Sequence, residues 1–301
     1  MTMISVVINT RNEEKNIARA ISSIKDIASE IIVVDMESTD KTREIAKKFG
    51  AKIFTHPYTG YVEPARNFAL QQAQGEYILI LDADEEISPR LGKKLLELAK
   101  KPIADFYRLP RKNIIFGQWI RHALWWPDYQ IRFFRKGTVV WSEIIHAVPE
   151  THGVGKDLPG EEVFAIVHHN YQTISQFIQR LDRYTNVQAK AKFEEGYKFS
   201  WRDIITKPTD EFVNRFLASE GYKDGAHGLA VCMLQAFSEL ILYLKVWELE
   251  KFKVTPLDPS ELENQITAAE GEVDYWLIKK RMKRPSASWR IFGKLLHRIK
   301  R

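Results

Sequence analysis

The chain has 301 residues, 45% hydrophobic and 12% aromatic, enough for a sizeable core in one large domain or two smaller ones. Its net charge of +6 is unevenly placed: residues 276–301 carry ten Lys and Arg and no Asp or Glu, so the other 275 residues sum to −4. With the basic character confined to a tail, and no zinc-ligand spacing or RNA-binding aromatic motif beside it, a nucleic-acid partner is not expected. The one cysteine, Cys232, rules out an intrachain disulfide and fits a reducing compartment.

In chain order, residues 4–10 read as a buried first strand and not as a signal peptide. A helix over 13–26 follows, with Ile17, Ala20, Ile21 and Ile24 at helical spacing. A second buried strand spans 30–36. The next helix has Ser38 or Thr39 as its cap and Gly50 as its stop. A strand at 51–57 leads to a helix at 63–75 with Pro64 in its first turn. A fourth strand covers 77–83, and a Ser-Pro start opens a helix at 88–101. Alternation of this kind, with strands apolar on both faces, implies an α/β fold with a mostly parallel sheet covered by helices.

From 103 to about 170, short aromatic and β-branched runs predict mixed or antiparallel strands that extend the sheet. Beyond that the pattern is helical, over 175–196, 208–220, 224–252 and 258–283. The division expected is a domain over 1–172 and a helical C-terminal region over 173–301. The most apolar long segment, 228–244, carries Gln235 and Glu239 and reads as a buried or interfacial helix ahead of a transmembrane one. In the tail, Trp289, Phe292, Leu296 and Ile299 fall at helical intervals among basic residues. That pattern suits either an anionic membrane surface or a solvated helix packed on its own domain, and the membrane is the preferred reading.

Ligands of parallel α/β sheets bind beyond the carboxyl ends of the strands. Three predicted strands end there in polar residues: Thr10 with Arg11 and Glu13, Asp35, and Asp82 with Asp84. No G-x-G-x-x-G or P-loop pattern accompanies them. Two carboxylates at i and i+2 face one side, and together they repel unless a cation joins them. Oxygen ligands suit Mg²⁺ or Mn²⁺. A lone Asp-x-Asp reads as readily as a turn, but its place after an apolar strand favours the ligand reading.

The segments "ISVVINTRNEEKNI", "EIIVVDMESTDKT", "PARNFAL" and "GEYILILDADE", in this order, resemble family 2 glycosyltransferases with the GT-A fold. "WWPDYQIRFFRKGTVVW" with "IIH" after it is similar to the branch that holds lipopolysaccharide-core glucosyltransferases. The resemblance implies an inverting, metal-dependent transfer from a nucleotide sugar, with uracil as the base, to a glycan or lipid-linked acceptor at the cytoplasmic membrane face. It places Thr10 and Asp35 at the base and ribose, Arg66 in the base pocket, Asp82 at the ribose or metal, and Asp84 on the metal. The sequence departs from the family at Met36-Glu37 and at Ala147, which follows His146 where an acid is usual.

Asp128, in "WWPDYQIR", is the favoured base, with Glu143 and Glu150 in reserve. Its alternative is a pairing with Arg132 or a turn cap. Trp125 or Trp126 offers a stacking face for an acceptor sugar. His146 and His168 are candidates for a third metal ligand or a diphosphate contact, or are structural. Arg132 and Arg135 face the choice between diphosphate and solvent. The rival readings are a sugar-phosphate nucleotidyltransferase, which would need a glycine-rich loop that "NTRNEEKN" lacks, and a membrane-bound glycan-binding scaffold without turnover.

Overall fold

In a computed structural model, the structure describes residues 3–60, 62–141 and 149–280. The chain forms two units: the first runs to Gln172, and the second begins at Thr173 and takes in His122–Leu124.

In the first unit, β1 (Ile4–Thr10), β2 (Glu30–Asp35), β3 (Lys52–Thr55) and β4 (Tyr77–Asp82) lie parallel. The helices α1 (Ile17–Ile24), α2 (Thr42–Lys48) and α3 (Glu63–Gln72) connect them. The centres of β1, β2 and β4 are apolar because each feeds two cores, whereas β3, at the sheet edge, exposes Lys52 and Thr55. Ile4, Val6 and Ile8 of β1 pack with Ile17, Ile21 and Ile24 of α1, whereas Val7 packs with Ala65 and Ala69 of α3. Successive strand residues point to opposite faces, so neither face can be polar.

Next come β5 (Glu85–Ile87), α4 (Pro89–Lys100), β6 (Phe106–Leu109), β7 (Arg111–Ile115), β8 (Gln118–Trp119) and β9 (Gln130–Arg135). After these lie β10 (Val139–Val140), β11 (Glu150–Thr151), β12 (Gly155–Asp157) and β13 (Ile166–Tyr171). The main sheet has the order β12-β6-β9-β4-β1-β2-β3, with β9 antiparallel to both β4 and β6. A second sheet has the order β5-β13-β7-β8.

After Asp84 the structure adds a strand that the sequence did not reveal: β5 pairs antiparallel with β13, with Glu85 fully buried against arginines. Ser38 and Thr39 do not cap α2, whose first amide, of Thr42, is accepted by Asp40 at 2.9 Å. Instead the Asn12 amide donates to Ser38 Oγ at 2.9 Å and the Thr39 amide to Asn12 Oδ1 at 2.8 Å. These bonds tie the loop after β1 to the loop after β2.

The second unit is helical: α5 (Ile174–Glu194), α6 (Asp203–Phe212), α7 (Gly225–Leu249) and α8 (Pro259–Lys279). Thr173 caps α5 by accepting from the Gln176 amide at 3.1 Å. The helix expected from Pro208 starts earlier, at Asp203, with Pro208 inside it. Asp203 accepts from the Ser200 amide and the Tyr197 hydroxyl, both at 3.0 Å, which fixes that earlier start. Residues 221–249 are long and apolar enough to cross a membrane by length and composition, and are partly buried. The tail beyond Lys280, with Trp289, Phe292, Leu296 and Ile299, lies outside the described residues.

Candidate active site

Strand register assembles the site. Thr10 pairs with Asp35 across β1 and β2, and Asn9 pairs with Asp82 across β1 and β4. Asn9 Nδ2 donates to the Ala65 carbonyl at 3.0 Å, pinning the first turn of α3 to the end of β1. That places Arg66 at the same edge, where its Nη2 meets Asp82 Oδ1 at 3.0 Å.

Asp35 is fully buried. Its Oδ2 accepts from the Ser38 amide at 3.1 Å. Asp35 Oδ1, Thr10 Oγ1 and Arg66 Nη1 are buried and have no hydrogen-bond partner among the described residues. Such atoms are costly to bury unpaired and mark a place for a polar ligand. Arg11 is exposed, with its guanidinium 3.7 Å from the Tyr58 ring centre. The Glu13 carboxylate accepts from Asn16 Nδ2 at 2.7 Å, at the start of α1.

The Asp-x-Asp pair separates into two roles. Asp82 is held by Arg66 on one oxygen and by Arg132 on the other. Burial pushes its pKa up, but the Arg132 and Arg66 charges outweigh this and hold its carboxyl far below the usual range. Arg132 is 3% exposed and also donates to Glu85 at 2.8 Å. Glu85 in turn accepts from the Asp82 amide at 2.9 Å and lies 3.5 Å from Arg111. Both Asp82 oxygens are engaged by guanidiniums, an arrangement that favours the ribose role expected for it over the metal one. Arg132 is likewise a buried bridge, and its expected diphosphate contact is limited by these two carboxylates. Arg135 is exposed, 3.8 Å from Glu76.

Asp84 is 8% exposed, and its Oδ2 lies 3.4 Å from His168 Nε2. His168 is buried on β13, between Glu85 of β5 and Asn113 of β7. This carboxylate oxygen and imidazole nitrogen are of the donor types Mn²⁺ accepts, but among the described residues no third His, Cys, Asp or Glu joins them. His146, the other expected ligand, lies outside the described residues, as does Glu143.

Asp128 is fully engaged. Arg111 holds it through Nε at 2.7 Å and Nη2 at 2.6 Å, Asn113 Nδ2 donates to it at 3.0 Å, and Gln130 Nε2 donates at 2.8 Å. Burial raises its pKa, but Arg111, Asn113 and Gln130 together bring it below the ordinary value. A carboxylate so stabilised in its charged form is a weak proton acceptor, which weighs against the base role expected for it. Its partner is Arg111, not Arg132. Glu150 is exposed, opposite Val140 in the β10–β11 pair. Trp126 stands edge-on to Trp119, with ring centres 5.1 Å apart.

Sequence reasoning missed Glu85, Arg111, Asn113 and Trp119. Asn113 left the clearest signal: an amide inside the strand-like run "KNIIF" must find partners when buried. Trp141 also borders the site. It exchanges backbone bonds with the Asn67 side chain at 2.6 and 2.9 Å, and its ring centre lies 5.6 Å from the Arg66 guanidinium.

A mostly parallel sheet whose strand ends carry buried unpaired polar atoms, with Asp82 and Asp84 at the end of β4, is an α/β fold of the GT-A type. Comparison with known proteins takes this further. Residues 5–153 match the model of glycosyl transferase family 2. The chain is 30% identical over 258 residues to an uncharacterised glycosyltransferase of Rickettsia typhi, covering 83% of this chain and 88% of that protein. It is 24% identical to the lipopolysaccharide core biosynthesis glycosyltransferase LpsC of Rhizobium meliloti, covering 84% and 95%. Among solved structures it is similar to Staphylococcus aureus TarS 1–349 in complex with UDP, at 15% identity and TM-score 0.44, covering 81% and 91%. It is also similar to glucosyl-3-phosphoglycerate synthase of Mycobacterium tuberculosis with Mn²⁺, UDP and phosphoglyceric acid, at 25% identity and TM-score 0.31, covering 38% and 44%. The chain belongs to glycosyl transferase family 2, and it is a glycosyltransferase.

Proposed function

We propose that the enzyme transfers a sugar from a UDP-sugar, with inversion, to a hydroxyl of a glycan or lipid-linked acceptor. The observation that carries this reading is the set of buried, unpartnered atoms Thr10 Oγ1, Asp35 Oδ1 and Arg66 Nη1 at one sheet edge. A nucleoside supplies donors and acceptors to such a set. In this reading Asp84 and His168 hold Mn²⁺ or Mg²⁺, which supplies charge for the leaving diphosphate. Asp82, fixed by its two arginines, presents its charge to the ribose while holding Arg66 in place. Trp126, with Trp119 behind it, offers the stacking face for the acceptor. The base that takes the acceptor proton falls to Glu150 or Glu143.

The acceptor is placed at the cytoplasmic face of a membrane, to which the enzyme attaches peripherally. Support comes from the basic tail 276–301 and from α7, where Leu229, Met233 and Phe237 recur every four residues and are all exposed.

A thermal-shift panel of nucleotide sugars with and without Mn²⁺ tests the donor. A ligand that binds only the folded state raises the midpoint, so one UDP-sugar should stand out, and only with metal. A panel in which no nucleotide sugar shifts the midpoint contradicts the reading.

A further inference from the structure

We infer that Asn113 and Asp128 are positioning residues that fix which ring nitrogen of His168 carries its proton, and so aim the other nitrogen at Asp84. The inference rests on the metal role proposed above, but its geometry is independent of any metal.

Asp128 stands at the far end of this chain of contacts. Arg111 keeps it ionised, and an ionised carboxylate only accepts hydrogen bonds. Asn113 Nδ2 lies 3.0 Å from Asp128 Oδ2 and 3.2 Å from the Trp125 carbonyl, two groups that need donors. This assigns the amide. With its nitrogen on that side, its oxygen faces His168 Nδ1 at 2.7 Å. The flipped amide would set a fully buried oxygen against a half-buried carboxylate and a carbonyl, a costly arrangement. An amide oxygen only accepts, so Nδ1 carries the proton. The lone pair of the neutral ring is then on Nε2, 3.4 Å from Asp84 Oδ2. In the metal role proposed above, this nitrogen and that oxygen would share one cation.

Backbone pairing holds the device in place. His168 is registered with Asn113 on β7 and with Glu85 on β5, so the ring is fixed from both sides. The charged groups around Asp128 are then explained without assigning it a proton transfer. It orders an amide, the amide orders an imidazole, and the imidazole presents a ligand. Groups behind a metal ligand commonly act this way, and losing them weakens metal binding about 10- to 100-fold.

The test uses ¹⁵N-labelled, metal-free, full-length protein. Long-range ¹⁵N–¹H correlations read the tautomer of neutral His168, assigned by its loss in His168→Gln. The wild type should show the proton on Nδ1. Asn113→Leu should lose this signature and bind Mn²⁺ about 10- to 100-fold more weakly by electron paramagnetic resonance titration. Asp128→Ala should behave in the same direction. Asp128→Asn keeps an acceptor oxygen for Asn113 and should retain both the signature and the affinity to within about threefold. A wild-type proton on Nε2 overturns the inference without any variant having to fold. An Asn113→Leu protein with unchanged tautomer and Mn²⁺ affinity does the same. An Nδ1 proton in a wild type that binds no Mn²⁺ supports the tautomer assignment and counts against the metal role instead.

Discussion

Asp82 is met by two guanidiniums, whereas Asp84 is met by an imidazole. Arg66, Arg111 and Arg132 balance Asp82, Glu85 and Asp128, a network buried at its centre. Removing one member of such a set leaves an uncompensated charge and typically costs about 3–5 kcal/mol. Arg132→Met should therefore lower stability by about that amount in urea unfolding, and a neutral effect would show that water reaches the network. Asp84 faces His168, and Asp84→Ala should abolish transfer while leaving the fold intact by circular dichroism. Turnover at the wild-type rate would end the metal role. The pH dependence follows from the sign at Asp82. Its folded pKa lies below the ordinary value of about 4. Its stabilisation is complete above that value and is lost as pH falls toward the folded one. Urea midpoints should drop as pH goes from about 5 to 2, and Asp82→Asn should flatten that drop. The sequence showed the two aspartates, because an apolar strand ending in acids is conspicuous. It did not show their division of labour, because Arg66 and Arg132 reach Asp82 across 16 and 50 residues.

At the scale of elements, β1, β2 and β4 were legible because strands buried on both faces carry an apolar run. β5 was not, because its buried acid Glu85 is neutralised by arginines from β7 and β9 that no local pattern reveals. Asn113 was hidden for the same reason: its partners lie on β13 and in the turn before β9. In the helical unit, the start of α6 depends on Asp203 side-chain bonds that outweigh the signal of Pro208. The start of α7 depends on a close approach, since a Cβ on Gly228 would lie 1.9 Å from the Gly221 carbonyl oxygen. Gly228→Ala should destabilise by about 1–3 kcal/mol, the usual cost of overpacking. A stability equal to wild type in chemical denaturation would mean that this backbone yields freely.

For the molecule as a whole, the claim is that a family 2 glycosyltransferase places its donor on a cation at the edge of a mostly parallel sheet. Membrane attachment is a separable part of that claim. Deleting residues 281–301 should abolish sedimentation with anionic phospholipid vesicles while leaving the UDP-dependent thermal shift in place. Unchanged sedimentation would move the attachment to another surface. The central claim is tested most directly by a crystal structure with UDP and Mn²⁺, using anomalous scattering to locate the metal. The account predicts a manganese peak between Asp84 and His168, with uracil against Thr10, Asp35 and Arg66. A peak elsewhere, or UDP bound in place with no metal beside Asp84, would contradict it.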